Sequence, residues 1–187
     1  LPEAAGAGPV DLLEDEGWID TNSRLDLLTN SLVLIGSKEQ GMIVTSMEAL
    51  KTPEIGRIAI ADPFLSPAGA YAQNALEGLE LWQEVKFKVI PSASVRVALG
   101  YVETGAADVG IVYRTEAYLS PRVEVVFALP QESHVPIVYP GAVLKEADHG
   151  QQALRFLEFL GSEEGRKVFL RHGFVPAREG ATGGNGQ

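Results

Sequence analysis

The sequence predicts an α/β fold, on three observations. Short apolar runs rich in β-branched residues recur at 57–61, 87–90 and 109–113. The first two are each stopped by a proline, and a serine then precedes a stretch whose apolar residues recur at 3.6-residue spacing. Within the runs at 58–61 and 109–113 no charged residue alternates with the apolar ones. That pattern suits parallel strands buried on both faces beneath helices.

Along the chain, residues 1–8 are small and flexible in composition. Residues 9–16 read as a helix with Pro9 at its start and Gly17 at its stop. Trp18, Ile19, Leu25, Leu27 and Leu28 supply apolar anchors around a short second helix. Residues 32–35 read as a strand and 37–41 as a polar turn. Gly36-Ser37-Lys38 lacks the upstream glycine of a phosphate-binding P-loop and stays a turn. Residues 47–50 form a short helix before Pro53.

The stretch 57–113 then carries the chemistry. After the strand at 57–61, Asp62-Pro63 breaks the run, Ser66 takes the N-cap position and Pro67 the first helical position, where a missing N–H costs nothing. Ala68 and Gly69 follow with amides free of intrahelical partners. Their small side chains let a ligand approach the backbone. Ala72, Ala75, Leu76 and Leu79 continue the helix. The second unit repeats this: strand 87–90, Pro91, a cap from Ser92 or Ser94, then Val95, Ala98, Leu99 and Val102, ended by Thr104 and Gly105. The third strand, 109–113, carries the Tyr113 hydroxyl near its carboxyl end. In an open parallel sheet ligands bind beyond the carboxyl ends of the strands, and helix N-termini there favour anions. The alternative is three ordinary capped βα units, since caps by themselves carry no ligand information.

Residues 123–128 read as a further strand and 135–144 as a returning strand. Two amphipathic helices, 152–160 and 163–172, are broken at Gly161-Ser162. Residues 174–176 close the fold, and the glycine-rich end, 177–187, reads as a disordered tail.

Composition limits the partners. A formal net charge of −10 argues against nucleic acid and anionic membranes, so an anion site must rely on local dipoles. The absence of cysteine removes disulfides and thiolate metal sites. No apolar run is long enough to cross a membrane and no signal peptide is visible in the chain. His134, His149 and His172 stand apart from one another and from acidic clusters, which gives no metal site and suggests solvated or capping roles. Asp62 and Asp108 would repel an anion and are expected to bond to loop backbone. No nucleophile with a base in sequence reach accompanies Ser66, Ser92, Ser94 or Tyr113, so no catalytic residue is assigned and the chain reads as a binding protein.

Four segments resemble the periplasmic molybdate-binding proteins of ABC transporters. They are D-P-x-x-x-P-A-G-x-Y-A-x-x-A-L at 62–76, L-x-L-W at 79–82, A-S-V-R-V-A-L-G-Y-V-E-T-G at 93–105, and A-D-V-G-I-V-Y at 107–113. The resemblance runs from about residue 10 to about residue 174. It implies a periplasmic-binding-protein type II fold with the second lobe complete and the first lobe partial. The implied division is 1–35 as partial first lobe, 36–136 as second lobe, 137–176 as the return to the first lobe, and 177–187 as tail.

By motif, the resemblance places the second lobe's ligand donors on the Ala68 amide, the Val95 amide and the Tyr113 hydroxyl. It implies capture of molybdate or tungstate without a cofactor, delivery to an ABC permease, and a periplasmic or otherwise extracytoplasmic location. The front of the first lobe lies outside the resemblance, so the chain is expected to be N-terminally truncated. Apolar surface exposed on 32–35 and 139–144, and self-association, are expected to follow. An oxyanion-sensing ligand domain of a transcriptional regulator is the alternative.

Overall fold

A computed structural model describes residues 8–177. They form two compact units, one of the described residues up to Asn30 together with those from Pro136 on, the other Ser31–Val135.

The first unit opens with helix α1 (Gly8–Asp15), stopped by Gly17 at φ +77°, where a side chain would be strained. Arg24 forms ion pairs with Asp11 and Glu14, tying α1 to strand β1 (Ile19–Asn30). This strand replaces the short helix expected around Leu25–Leu28. Two register shifts against strand β7 (Ile137–Leu144), between Asp20 and Leu25 and between Asp26 and Leu28, break the two-residue alternation. The apolar spacing therefore imitates a helix. At the first irregularity the buried Ser23 hydroxyl donates to the Asp20 carbonyl (2.6 Å) and accepts from the Val143 amide (2.8 Å). The side chain supplies bonds that the ladder loses there. Strand β8 (Val175–Pro176) completes a three-stranded sheet of order β7-β1-β8. Helices α6 (Gly150–Gly161) and α7 (Glu163–Arg171) meet at Ser162, whose hydroxyl accepts from the Gly165 amide. Phe156, Phe159 and Leu170 remain exposed on these helices.

The second unit holds strands β2 (Leu32–Ser37), β3 (Ile58–Ala61), β4 (Val89–Ser92), β5 (Val109–Tyr113) and β6 (Val123–Ala128) in the order β4-β3-β5-β2-β6. β3 runs parallel to β4 and β5, whereas β2 runs antiparallel to β5 and β6. The sheet is thus mixed, with a parallel part confined to the three strands the sequence picked out. β2 lies between two partners of this unit, which moves the boundary expected at 35/36 to 30/31. Leu32, Val33, Leu34 and Ile35 are completely buried, so this strand presents no apolar face for self-association. On β7 the expected exposure is partial: Leu144 is exposed and Tyr139 half-buried. β4 starts two residues later than Phe87, which falls in a 3₁₀ turn (Lys86–Lys88) with its ring in solvent. The tail expected over 177–187 falls outside the described residues from 178 on.

Helix α2 (Pro67–Gly78) contacts β3 and β5, and the short helix α3 (Trp82–Val85) follows it. Helix α4 (Val95–Glu103) lies on β2, β3, β4 and β5, and α5 (Arg114–Leu119) follows β5. Val33, Ile35, Ala59 and Val112 form one cluster with Ala98, Leu99 and Val102 of α4. Burying side chains such as Leu99 and Val102 contributes about 1.5–3 kcal/mol each. This core holds α4 on the sheet, with Val95 at the helix start packed against it.

Candidate anion site

The three parallel strands bring their carboxyl ends to one edge. Ala61 is in register with Ser92, and Ile58 and Ala59 are in register with Val109 and Gly110. One bond beyond the register, the Asp62 amide donates to the Ser92 carbonyl at 2.7 Å. The helices α2 and α4 start within a few residues of that edge, and Tyr113 closes β5 there.

The loop into α2 is built by its own backbone. The Asp62 side chain accepts from the Phe64 amide (2.8 Å), and the Asp62 carbonyl accepts from the amides of Leu65 and Ser66. Asp62 therefore serves the turn, as Asp108 does by accepting from the amides of Gly56 (2.9 Å) and Arg57 (2.7 Å). Ser66 occupies the N-cap position with extended backbone, but its hydroxyl caps nothing. Its carbonyl takes the amides of Gly69 and Ala70. Pro67 has no N–H. The Ala68 amide is left as the first donor of α2, with no hydrogen-bond partner among the described residues.

At α4 the cap is Ser94, whose hydroxyl accepts from the Val97 amide at 3.3 Å. Ser92, the other candidate, is buried below it, its single hydroxyl proton lying between the carbonyls of Ile60 (3.0 Å) and Ser94 (2.9 Å). The Val95 amide has no partner among the described residues either. The adjacent Arg96 guanidinium lies 3.1 Å from the Glu116 carboxylate. A cation next to the site is thus already paired, and the unpaired donors here are neutral.

Gly69 serves a different purpose from the one expected. A Cβ on Gly69 would lie 2.2 Å from the Ala61 carbonyl oxygen and 2.7 Å from the Asp62 carbonyl carbon. The residue is small so that α2 can seat directly on the end of β3, and no ligand is needed to explain it.

Tyr113 meets α2 through Tyr71, one helical turn beyond Ala68. Their ring centroids are 6.5 Å apart at an interplanar angle of 63°. Tyr71 in turn meets His134, with centroids at 6.1 Å and 70°. His134 was expected to be solvated or capping. Its Nδ1 lies 2.8 Å from the Val135 carbonyl oxygen, but its Nε2 is buried with no hydrogen-bond partner. His134 lies 63 positions beyond Tyr71 in the sequence, and no local motif links them. The sequence carried no signal for this contact. Among the described residues, no group of three or more His, Cys, Asp and Glu could hold a metal ion.

Residues 3–175 match the family described as bacterial extracellular solute-binding protein. The chain belongs to that family. Within it, the chain is 40% identical over 163 residues to a Bacillus subtilis protein named "Putative ABC transporter substrate-binding lipoprotein YvgL", covering 87% of this chain and 62% of that one. It is 36% identical over 170 residues to the molybdate-binding protein ModA of Escherichia coli, covering 89% of this chain and 66% of ModA. The chain therefore spans just under two thirds of the length of these relatives. A solved structure described as the "substrate binding domain of putative molybdenum ABC transporter from Clostridium difficile" superposes with a TM-score of 0.85 at 33% identity, over 93% of this chain and 75% of that one. The fold of this solute-binding family member is the α/β periplasmic-binding-protein type II fold expected from its motifs.

Proposed function

We propose that the protein is the solute-binding component of an ABC importer. It captures molybdate or tungstate with the amides of Ala68 and Val95 and the hydroxyl of Tyr113, and passes the anion to a permease outside the cytoplasm. The observation that carries this reading is that the amides of Ala68 and Val95, at the starts of α2 and α4, have no partner among the described residues, on the edge where β3, β4 and β5 end. The name of the relative at 36% identity supports molybdate, and the description of the structure at 33% identity names a molybdenum transporter.

The chemistry follows from the donors. Two amides at helix starts and a phenol offer only N–H and O–H groups toward a ligand, with the positive ends of two helix dipoles behind them. Such a site favours a fully deprotonated tetrahedral dianion. A protonated oxyanion would bring an O–H that meets only donors, which costs about 1–3 kcal/mol when it is buried. No bond is made or broken, so this is binding without catalysis.

Charge-assisted bonds contribute about 1.5–3 kcal/mol each, so these three donors supply about 5–9 kcal/mol gross. Association costs several kcal/mol of that in lost freedom. These three alone therefore hold the anion more weakly than the micromolar range, which needs about 8 kcal/mol net. The test is an NMR titration of the chain with sodium molybdate into the millimolar range, following the Ala68 and Val95 amides. Both should shift along one saturation curve, and phosphate at equal concentration near neutral pH should not displace molybdate. Unmoved Ala68 and Val95 amides would overturn the assignment.

A further inference from the structure

We propose that Tyr71 and His134 are positioning residues for the Tyr113 hydroxyl, and that the three rings form one row holding the third donor in register with the Ala68 amide. This inference rests on the reading of Tyr113 as an anion donor.

The phenol hydroxyl stands at the end of a long lever. A modest rotation about the first side-chain torsion of Tyr113 sweeps its oxygen through several ångströms, roughly the difference between a bond and none. Backbone bonds fix the Tyr113 Cα within β5, and the ring position must be set by side-chain contacts. Tyr71 supplies one from the side. Its ring is 2% exposed and meets the Tyr113 ring edge-on at 6.5 Å, a favoured aromatic geometry.

Tyr71 sits three residues after Ala68, on the same face of α2. The helix that presents one donor amide therefore also carries the ring that orients the hydroxyl. Close seating of Gly69 on the Ala61 carbonyl fixes that helix in turn.

His134 closes the row from behind. It follows the 3₁₀ turn Gln131–Ser133, which lies against the far end of α2. A Cβ on Gly78 would come within 2.4 Å of the Ser133 carbonyl oxygen, so helix and turn touch backbone to backbone. The His134 ring is then clamped between its own Nδ1 bond to the Val135 carbonyl and the face-to-edge contact with Tyr71 at 6.1 Å. The Nδ1–H donates to that carbonyl, and Nε2 is buried without a hydrogen-bond partner among the described residues. Such a nitrogen carries a desolvation cost that an apolar side chain would not. Neither capping nor solvation accounts for a ring placed in this way. Support for Tyr71 does.

Double-mutant cycles test the row in the NMR titration with sodium molybdate, with thermal unfolding recorded for each variant. Tyr113→Phe should raise the dissociation constant about tenfold or more. Tyr71→Leu should cost a similar factor, and adding Tyr113→Phe to it should cost less than about twofold further, because a mispositioned hydroxyl has nothing left to lose. Tyr71→Phe keeps the ring edge and should recover most of the loss. His134→Ala, at a half-exposed residue beyond the helix, should weaken binding several-fold and shrink the Tyr113→Phe effect in the same way. It carries the cycle should Tyr71→Leu fail to fold. Additive losses, or weakened binding that merely tracks the unfolding temperature, would overturn the positioning role while leaving Tyr113 a donor. If Tyr113→Phe alone leaves the dissociation constant unchanged, the site reading itself falls, and the row with it.

Discussion

The starts of α2 and α4 were built by the same sequence rule and solve it differently. Each follows a parallel strand and has a serine at its N-cap, although Pro91, expected to stop the second strand, lies within β4. In α4 the serine hydroxyl caps the helix, and a second serine below braces the loop. In α2 the hydroxyl is idle. The serine carbonyl, a proline without an N–H and a glycine pressed on the preceding strand shape the turn instead. Among the described residues both solutions leave amides unpartnered at the strand edge: Ala68 in α2, and Val95 with the next amide, Arg96, in α4. A side-chain cap and a backbone seat are therefore interchangeable as ways of presenting a donor, but they differ in what breaks them.

Gly69→Ala should separate the two most sharply. Its Cβ would strike the Ala61 carbonyl, backbone against backbone, so α2 must lift from β3. Denaturant unfolding should show a loss of about 2–3 kcal/mol, and the Ala68 amide should lose its response to molybdate. Ser94→Ala removes the α4 cap and should cost about 1 kcal/mol by the same measurement, with the Val95 amide still responsive. Gly100→Ala is the counterpart of the first substitution in α4. Nothing lies within 4 Å of its added Cβ, so the relief of helix-interior glycine should stabilise the protein by about 0.5–1 kcal/mol. Ser66→Ala should change stability by no more than a few tenths of a kcal/mol, because its hydroxyl caps nothing. A loss near 1 kcal/mol there would show that Ser66 caps in solution, and the contrast between the helix starts would collapse.

Local chemistry accounts for what the sequence alone determined. The strands at 58–61 and 109–113, the helix starts at Pro67 and Val95, and the stop at Gly105 (φ +71°) follow from apolar runs, capping residues and a glycine acting over a few neighbours. Ala68, Val95 and Tyr113 could be singled out for the same reason: strand ends and helix starts are local features. The tertiary structure decided what distant residues do to one another. Pairing with β7 turned an apparent helix at 25–28 into a bulged strand, because two register shifts erase the alternation that a strand normally shows. Insertion between β5 and β6 buried β2 completely, which no count of its own residues could reveal. The smallness of Gly69 acquired its meaning only from the Ala61 carbonyl above it. Last, the link from Tyr113 through Tyr71 to His134 joins three elements across more than sixty positions of sequence. A side chain's partners at that separation are set by how sheet and helices stack, and no local pattern encodes them.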